Sequence, residues 1–386
     1  ALSGLVRKPQ PFKAEGVRVT KSGLLSVNAE ACRLSGDHAL QALATYTSAN
    51  TLLKKAQRMA KGAFIPLQTS YQTPIASGRT SSRASEAPLV GDNFQNFRRS
   101  AMHLDDGSEL PGQRECIIPR DGYLFCSIDL DSAEMRGFAQ HALEHLGWSE
   151  LADALNAGLN PHRLLGSDIL RCAYPEFDER YKAGDPEAKR AAQFAKIPNF
   201  ALLGGGGWRI LPDYAKGMGI VLADSEAQHL AELFHARWRE VKPMHTHYKG
   251  FIHDVFEQPI TRRLRYYDRY AQACNGQFQA RIADAAGLGV VRLAEEMYVP
   301  GGQLMGSYTV LHLHDENLIE IPEHCASEHA WRATKIMIDA ANVFLPDVPM
   351  TAKPALMRRF SKGADHVVHE SKRDSDGNPL LLVCET

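Results

Sequence analysis

Two groups of acidic residues lie in apolar segments that are far apart in the sequence. Asp129 falls near the end of YLFCSIDLD, whereas Asp315 and Glu316 lie in the middle of TVLHLHDENLIEI, residues 309–321. Adjacent carboxylates repel each other, and hard divalent ions such as Mg²⁺ take carboxylate oxygens as ligands. Pairs of such ions clamp the attacking and leaving oxygens in phosphoryl transfer. If the two segments meet, the acids predict a two-metal centre; otherwise they are ordinary turn residues.

A third segment, DPEAKRAAQFAKIPNFALLGGGGW (residues 185–208), carries cations and an aromatic ring on one face of a predicted helix. Asp185 is a suitable N-cap, with Pro186 and Glu187 in the first turn. At about 100° per residue, one stripe contains Lys189, Gln193, Lys196, Phe200 and Leu203. The stripe suits a surface that meets a triphosphate and a nucleoside. The alternative is an amphipathic helix whose lysines extend into solvent.

Apolar periodicity predicts the elements around these residues. The segment after Asp37 is a predicted helix with this residue as N-cap, and residues 63–122 are rich in Ser, Gly, Pro and Asn. A buried strand is predicted at 123–131 and a helix directly after it, followed by a largely helical stretch at 149–270. The acidic hairpin is predicted to lie between a long helix at 274–298 and a last helix at 326–344.

The composition is that of a globular protein. The chain has 386 residues, 44% of them hydrophobic and 23% charged, which predicts two or three subdomains. A net charge of −1 counts mildly against nucleic-acid binding. Six arginines at 262, 263, 265, 269, 281 and 292 form a basic stretch, for which a solvated helix face is the simplest interpretation.

The compartment is predicted from what the sequence contains. Seven cysteines without a CxxC pair favour reduced thiols in a cytoplasm, and no apolar run is long enough for a membrane span, so we expect no membrane partner. The start, ALSGLVRKPQPFK, has neither Met nor a signal-peptide pattern and is expected to be an internal start.

Six motifs, in the same order, resemble family A DNA polymerases, the bacterial polymerase I group and especially its phage members. The resemblance runs from about residue 38 to 340. The motifs are ASGRTSSRASEAPLVGDNFQNFRR, SIDLDSAEMRGFAQH, NPHR, AKIPNFALLGGG, NGQFQARIADAA and LHLHDENLIE. The resemblance implies a template-directed DNA polymerase whose partners are primer–template DNA and deoxynucleoside triphosphates.

The resemblance also implies the roles of site residues. Asp129 and Asp315 would bind two Mg²⁺ ions, or Mn²⁺ in their place, with the Leu130 carbonyl as a further ligand and Glu316 in a secondary role. Lys196 and His162 would contact the triphosphate, and Lys196 would also protonate the leaving group.

The remaining implied roles concern the sugar and the DNA. Phe200 would pack on the incoming sugar and base, and Glu134 would be the steric gate that crowds a ribose 2′-OH. The residues implied to hold primer and template are Arg79, Asn93, Gln95, Asn96, Arg136, Asn275, Gln279 and His314.

Three positions depart from the family pattern. Ala192 stands where an Arg usually precedes the lysine, and Lys189 is the expected substitute. Gly204 stands where a Tyr that could stack on a template base is common. Pro198 removes a helix hydrogen bond and is expected to kink the helix.

The implied fold is α+β, a right-hand polymerase with an antiparallel palm sheet. We expect a partial thumb at 1–62, palm at 63–145 and 271–386, and helical fingers at 146–270. We expect no exonuclease domain in this sequence, so that activity would be absent, removed, or carried by a separate subunit. A processivity factor would likewise be a separate subunit. The expected location is the cytoplasm of a bacterial or phage-infected cell.

Two other functions stay open at this stage. A single-subunit RNA polymerase shares the palm and fingers plan, but Glu134 at the gate position disfavours it. A non-catalytic nucleic-acid-binding factor with a decayed palm is disfavoured because both Asp129 and Asp315 are present.

Overall fold

The computed structural model describes residues 32, 37–60, 67–72, 78–84, 92–97, 102–103, 109–110, 112–218, 220–361 and 364–384. The chain divides into two units, residues 1–70 with 82–113 and residues 71–81 with 114–386. Most of the predicted partial thumb therefore lies outside the described residues. The predicted palm, fingers and thumb boundaries stay predictions.

In the part of the first unit that the structure describes, the longest element is helix α1 (His38–Ala60). The Asp37 carboxylate accepts hydrogen bonds from the backbone N–H groups of Ala39 and Leu40 at 2.8 and 3.1 Å, which confirms the predicted N-cap. Short strands follow along the chain: β1 (Thr69–Gln72), β2 (Ser81–Ala84), β3 (Met102–His103) and β4 (Glu109–Leu110).

Three of the residues implied to bind DNA lie in this first unit, around a 3₁₀ turn at Phe94–Asn96. Gln95 Oε1 accepts from the Ser82 N–H at 2.8 Å, and Asn93 Oδ1 accepts from the Ser82 hydroxyl at 2.6 Å. Asn96 is exposed. The amide oxygens of Asn93 and Gln95 therefore help to hold this turn together, and a role of the three in DNA binding stays a prediction.

The second unit contains a six-stranded sheet of order β11-β12-β10-β5-β9-β8 and a separate hairpin, β6–β7. The strands are β5 (Tyr123–Leu130), β6 (Val255–Glu257), β7 (Leu264–Tyr266), β8 (Tyr308–Leu313), β9 (Glu316–Pro322), β10 (Ala352–Met357), β11 (Val367–Arg373) and β12 (Pro379–Cys384).

The palm sheet was predicted to be antiparallel, but the observed sheet is mixed. β12 runs parallel to β10, whereas the other neighbouring strands in this sheet are antiparallel. The reason is the last hairpin: β11 occupies the edge, and β12 returns between β11 and β10. A strand antiparallel to β11 in that position must run parallel to β10.

The helices of the second unit follow in order. They are α2 (Ala133–Leu146), α3 (Glu150–Asn156), α4 (Pro161–Leu170), α5 (Tyr174–Lys182), α6 (Pro186–Ala201), α7 (Leu211–Gly217), α8 (Asp224–Arg237), α9 (Val241–Lys249), α10 (Tyr270–Tyr298) and α11 (Ala326–Asn342). Helix α6 starts at the Asp185 cap and continues through Pro198 to Ala201. None of the helices among the described residues has an apolar stretch long enough to cross a bilayer.

Alternation along β5 separates the core from the site. Leu124, Cys126 and Ile128 are buried in one cluster that includes residues of α10 and α11. Successive side chains of a strand point to opposite faces, so Ser127 and Asp129 lie on the other face. Each buried apolar side chain contributes roughly 1.5–3 kcal/mol, which fixes the register of β5. The same register therefore positions Asp129.

The basic stretch is not a solvated helix face. Its first arginines lie on and beside the hairpin β6–β7, where Arg263 pairs with Asp284 at 2.7 Å. Arg265 and Arg281 are buried, and Arg281 pairs with Glu144 at 2.5 Å. The prediction was wrong because helical spacing was assumed across a turn, and because ion pairing allowed these guanidinium groups to be buried.

Candidate active site

The two acidic segments meet at the edge between β5 and β9. Asp129 and Glu316 are direct cross-strand partners, and the Leu130 N–H donates to the Asp315 carbonyl at 3.3 Å. Neighbouring strands lie about 4.8 Å apart, so the acids are neighbours in space. His314, with φ 65°, and Asp315 form the two-residue turn between β8 and β9. Asp129 and Asp315 therefore lie at adjoining positions of the two strands, and their joint binding of metal ions stays a prediction.

Glu316 is anchored to the protein through both of its oxygens. The Ser127 hydroxyl donates to Oε1 at 2.8 Å, and Arg114 Nη1 lies 3.4 Å from Oε2. Arg114 is buried, with its guanidinium 4.6 Å from the ring centre of Phe360. This geometry fits the secondary role implied for Glu316. The sequence analysis missed Ser127 and Arg114, although the position of Ser127, two residues before Asp129 on one strand, was a usable signal.

Negative charge is concentrated around Asp315. Burial raises the pKa of Asp315, and the carboxylates of Glu134 and Glu316 raise it further, while its own backbone N–H and Arg79 act in the opposite direction. Lys353 is the cross-strand partner of Asp129 on β10 and was missed by sequence reasoning. Clustered, partly desolvated carboxylate oxygens are the ligands that a hard divalent cation requires. The residues present therefore fit a bound divalent ion.

Glu134, the implied steric gate, is held in place by two other predicted site residues. Arg79 forms an ion pair with its Oε1, and Gln279 Nε2 lies 3.4 Å from the same oxygen. Gln279 Nε2 is also 3.4 Å from Asn275 Oδ1. Glu134 and Arg79 are each about a quarter exposed, so this cluster faces solvent only in part.

The Asn275 side chain packs directly against Gly204. Asn275 Nδ2 donates to the Gly204 carbonyl at 3.1 Å and to the Ala271 carbonyl at 3.0 Å. A Cβ built on Gly204 would overlap the Asn275 side chain. The next residue, Gly205, has φ +83°, which disfavours any side chain. In this arrangement the Asn275 side chain therefore occupies the space that a side chain at the family's Tyr position would need.

His162 is held in one tautomer by a buried chain of polar groups. The Trp238 N–H donates to Asn199 Oδ1 at 3.1 Å, which leaves Asn199 Nδ2 as the donor 3.0 Å from His162 Nδ1. Burial, followed by the charge of Lys196, lowers the pKa of His162 to about 4. At neutral pH the ring is uncharged and carries its proton on Nε2. Sequence reasoning missed Asn199 and Trp238, which carry no local signal.

Phe200 and His162 bring α6 to the start of α4. Their ring centres are 5.2 Å apart, and Phe200 is 43% exposed. Asn160 caps α4 by accepting from the N–H groups of His162 and Arg163 at 3.0 and 3.1 Å. Lys196 interacts with His162 through its charge. His162, Lys196 and Phe200 thus lie close together, and their contacts with a nucleotide stay a prediction.

Lys189 and Ala192 behave differently from the rest of the stripe. The Lys189 ammonium lies 4.6 Å from the ring centre of Tyr181. Ala192 is buried in a small cluster with Phe177 and Ala188. The position at which the family usually has Arg is therefore covered by α5. Lys189 stays a predicted nucleotide-binding residue.

Arg136 is held by acceptor groups of the protein itself. It is buried, and its guanidinium donates to the Asp131 and Pro349 carbonyls at 3.0 and 2.5 Å and to the Thr351 hydroxyl at 3.1 Å. These protein acceptors occupy Nε, Nη1 and Nη2. Arg136 therefore ties the end of β5 to the start of β10, and its role in holding DNA stays a prediction. The sequence showed the charge but not the carbonyl groups that the fold brings to it.

Tyr214 on α7 is a further residue that sequence reasoning missed. It is 43% exposed, and the charge of Glu134 adds to burial in raising its pKa. Tyr214 therefore places an exposed aromatic ring near Glu134, whereas the family's usual Tyr position is occupied by Gly204 and has no ring.

The second unit combines a mixed sheet that carries paired acids with a helical segment that carries Lys, His and Phe. This combination defines the class of right-hand nucleic-acid polymerase folds. The model of the family described as DNA polymerase family A matches residues 10–362. The chain therefore belongs to DNA polymerase family A, as the sequence predicted.

Known relatives agree with this assignment. The chain is 28% identical over 295 residues to DNA polymerase I of Deinococcus radiodurans, a match that covers 72% of this chain and 27% of that protein. The chain thus spans about a quarter of the curated relative. The POL domain of Pol1 from M. smegmatis, solved in complex with DNA primer-template and dNTP, aligns with a TM-score of 0.66 and 20% identity over 93% of this chain and 60% of that chain. The predicted α+β polymerase fold is confirmed.

Proposed function

We propose that this chain is a template-directed DNA polymerase that adds deoxynucleotides to a primer 3′-OH. The observation that carries the proposal is the convergence of Asp129 and Asp315 on neighbouring strands. The relatives' names, DNA polymerase I and a Pol1 domain with DNA primer-template and dNTP, support the same reaction and the same partners.

Asp129, Asp315 and the Leu130 carbonyl would hold two Mg²⁺ ions, with Mn²⁺ as a substitute. When bound, such ions lower the pKa of the primer hydroxyl and neutralise charge on the triphosphate and the departing pyrophosphate. The chain's own contribution is to hold the carboxylates in position. Register pairing sets Asp129, and Ser127 together with Arg114 holds the Glu316 carboxylate in one position.

The nucleotide would bind against α4 and α6. His162 is neutral and carries its proton on Nε2, so it could donate one hydrogen bond to a phosphate oxygen without adding charge. Lys196 supplies the cation and a proton for the leaving pyrophosphate. Phe200 offers an exposed ring for the sugar and base. The start of α4 adds the positive end of its helix dipole.

Sugar selection would depend on the volume of Glu134. Arg79 and Gln279 hold its carboxylate, so the side chain cannot rotate away without losing both contacts. A ribose 2′-OH would meet this fixed carboxylate. Asn275, Gln279, Arg79 and His314 stay proposed contacts to primer and template.

The test is primer extension with Mg²⁺ by Asp129→Asn and Asp315→Asn, alongside a matched control, Asp121→Asn. Asp121 is an exposed Asp two residues before β5, so its replacement changes the same net charge outside the site. We expect both site variants to lose turnover, by on the order of several kcal/mol of transition-state stabilisation, while they still bind primer–template. If either variant extends primers at close to the parental rate, the proposal is wrong.

The same assay separates the other functions. Extension with ribonucleotides alone would indicate an RNA polymerase, and DNA binding without extension would indicate a non-catalytic factor. We place the activity in the reducing cytoplasm of a bacterial or phage-infected cell, and the seven free cysteines support that location. A separate exonuclease or processivity subunit would be detected as an increase in proofreading or product length on its addition.

A further inference from the structure

Three histidines converge away from the acidic site. His141 and His145 lie one helical turn apart on α2, and His247 lies on α9. One ring nitrogen from each falls within 4.8 Å of the others. His141 is buried, His247 is half-buried, and His145 is exposed. The cluster therefore reaches from the interior to the surface, with an opening to solvent at one end.

A metal ion bound by the three rings would replace one hydrogen bond within the cluster and would bind one nitrogen that has no partner among the residues that the structure describes. His141 Nδ1 lies 3.1 Å from the Tyr248 hydroxyl, and His141 Nε2 lies 2.9 Å from His145 Nε2. His247 Nε2 is buried and has no hydrogen-bond partner among the residues that the structure describes. An orphaned, buried nitrogen costs free energy unless something binds it.

All three rings are uncharged at neutral pH. Burial lowers the pKa of each; Arg281 lowers the pKa of His141 further, and at His145 Glu144 raises the pKa while Arg281 lowers it. The charge of Arg281 is itself countered by Glu144 at 2.5 Å. Three neutral imidazoles each keep a lone pair for a ligand.

We propose that His141, His145 and His247 bind one transition-metal ion, with Zn²⁺ as the expected occupant. Imidazole nitrogens suit Zn²⁺ and its neighbours, whereas Mg²⁺ requires oxygen ligands. Ligands about 2.0–2.1 Å from a tetrahedral ion lie about 3.3 Å apart, close to the separation of the His141 and His145 nitrogens. The His141 Nδ1–H then donates to Tyr248, in the way that metal-bound histidines are usually supported.

The site would link two parts of the second unit. Helix α2 carries Glu134 in its first turn, and α9 belongs to the helical segment after it. A metal ion between them would brace α2 from its other end. The fourth ligand would be solvent, because His145 is exposed.

The test is titration of the full chain, stripped with EDTA and held in excess Mg²⁺ to occupy the carboxylates. Zn²⁺ binding is measured by calorimetry, and Co²⁺ binding by its visible absorption, which reports tetrahedral coordination. We expect one equivalent of either ion and a rise in unfolding temperature. His145→Gln and His247→Gln should each weaken binding about tenfold or more. His229→Gln, at an exposed histidine on α8, is the matched control and should bind like the parent.

Three results would overturn the proposal: no binding to the parent, parental affinity in both site variants, or equal loss in the His229→Gln control. His145 lies at the surface, so its replacement leaves no cavity and the variant is expected to fold. Tyr248→Phe gives an independent check. It keeps the ring packing, and it should weaken Zn²⁺ binding while circular dichroism stays unchanged.

Discussion

Replacing His162 by Gln should remove part of the protein's sensitivity to acid. His162 has a folded-state pKa of about 4, whereas an unfolded histidine titrates near 6.5. Between these values the unfolded chain binds the proton and the folded chain does not. Stability from this residue is therefore present above pH 6.5 and is lost as the pH falls towards 4. Gln does not titrate, and its carbonyl can still accept from Asn199.

The two pKa values set the size of the effect. Linkage through one histidine with this shift amounts to about 2 kcal/mol of unfolding free energy lost between pH 7 and pH 5. Between pH 7 and pH 5, the unfolding free energy of the His162→Gln variant should therefore fall by about 2 kcal/mol less than that of the parent. Other buried histidines, His235 among them with a pKa of about 4, titrate in both proteins and cancel in the difference.

Urea unfolding at pH 7 and pH 5, followed by circular dichroism, measures this difference. His229→Gln, at an exposed histidine, serves as control and should track the parent. Equal loss of stability in the parent and His162→Gln would show that His162 is protonated in the folded state, and the Asn199–Trp238 account of its tautomer would fail.

Three further predictions concern the site. Glu134→Ala should raise ribonucleotide incorporation relative to deoxynucleotide incorporation, whereas Glu134→Gln keeps the side-chain volume and should not. If the ratio of the two incorporation rates is unchanged in both variants, the steric gate lies at another residue. Phe200→Tyr should raise dideoxynucleotide incorporation about tenfold or more, since its hydroxyl replaces a hydrogen bond worth ~1–3 kcal/mol; equal chain termination by the two proteins would remove Phe200 from the sugar. Gly204→Ala should lower the free energy of unfolding by about 1–3 kcal/mol, and Asn275→Ala should partly restore it; additive losses would exclude the overlap.

Local pattern was sufficient where local forces decide the structure. The apolar run at 123–131 became β5, the Asp37 cap starts α1, and the acidic turn holds His314 and Asp315 as expected. Each of these depends on propensity, capping or alternation within a few residues. The placement of the acids at a strand end and in a hairpin turn could be predicted for the same reason, because strand ends and hairpin turns have recognisable sequence patterns.

Long-range partners were not predictable. Asn199 is joined to Trp238, 39 positions away, and Arg114 to Glu316, 202 positions away. The sequence shows the charge of Arg136 but not the carbonyl groups that accept from it. The parallel step between β10 and β12 likewise depends on where the last hairpin inserts, which no local pattern encodes.

The central place of β5 in its sheet also bears on how the chain is made. Both of its neighbours come much later in the sequence, and Ser127 is 189 residues from the Glu316 that it contacts. At synthesis rates of roughly 5–20 residues per second, this apolar strand waits for roughly ten to forty seconds without the strands that cover its edges. Such a strand can pair with other nascent chains during that time. Slower expression at low temperature, with chaperones that hold unfolded chains, should therefore raise the soluble yield.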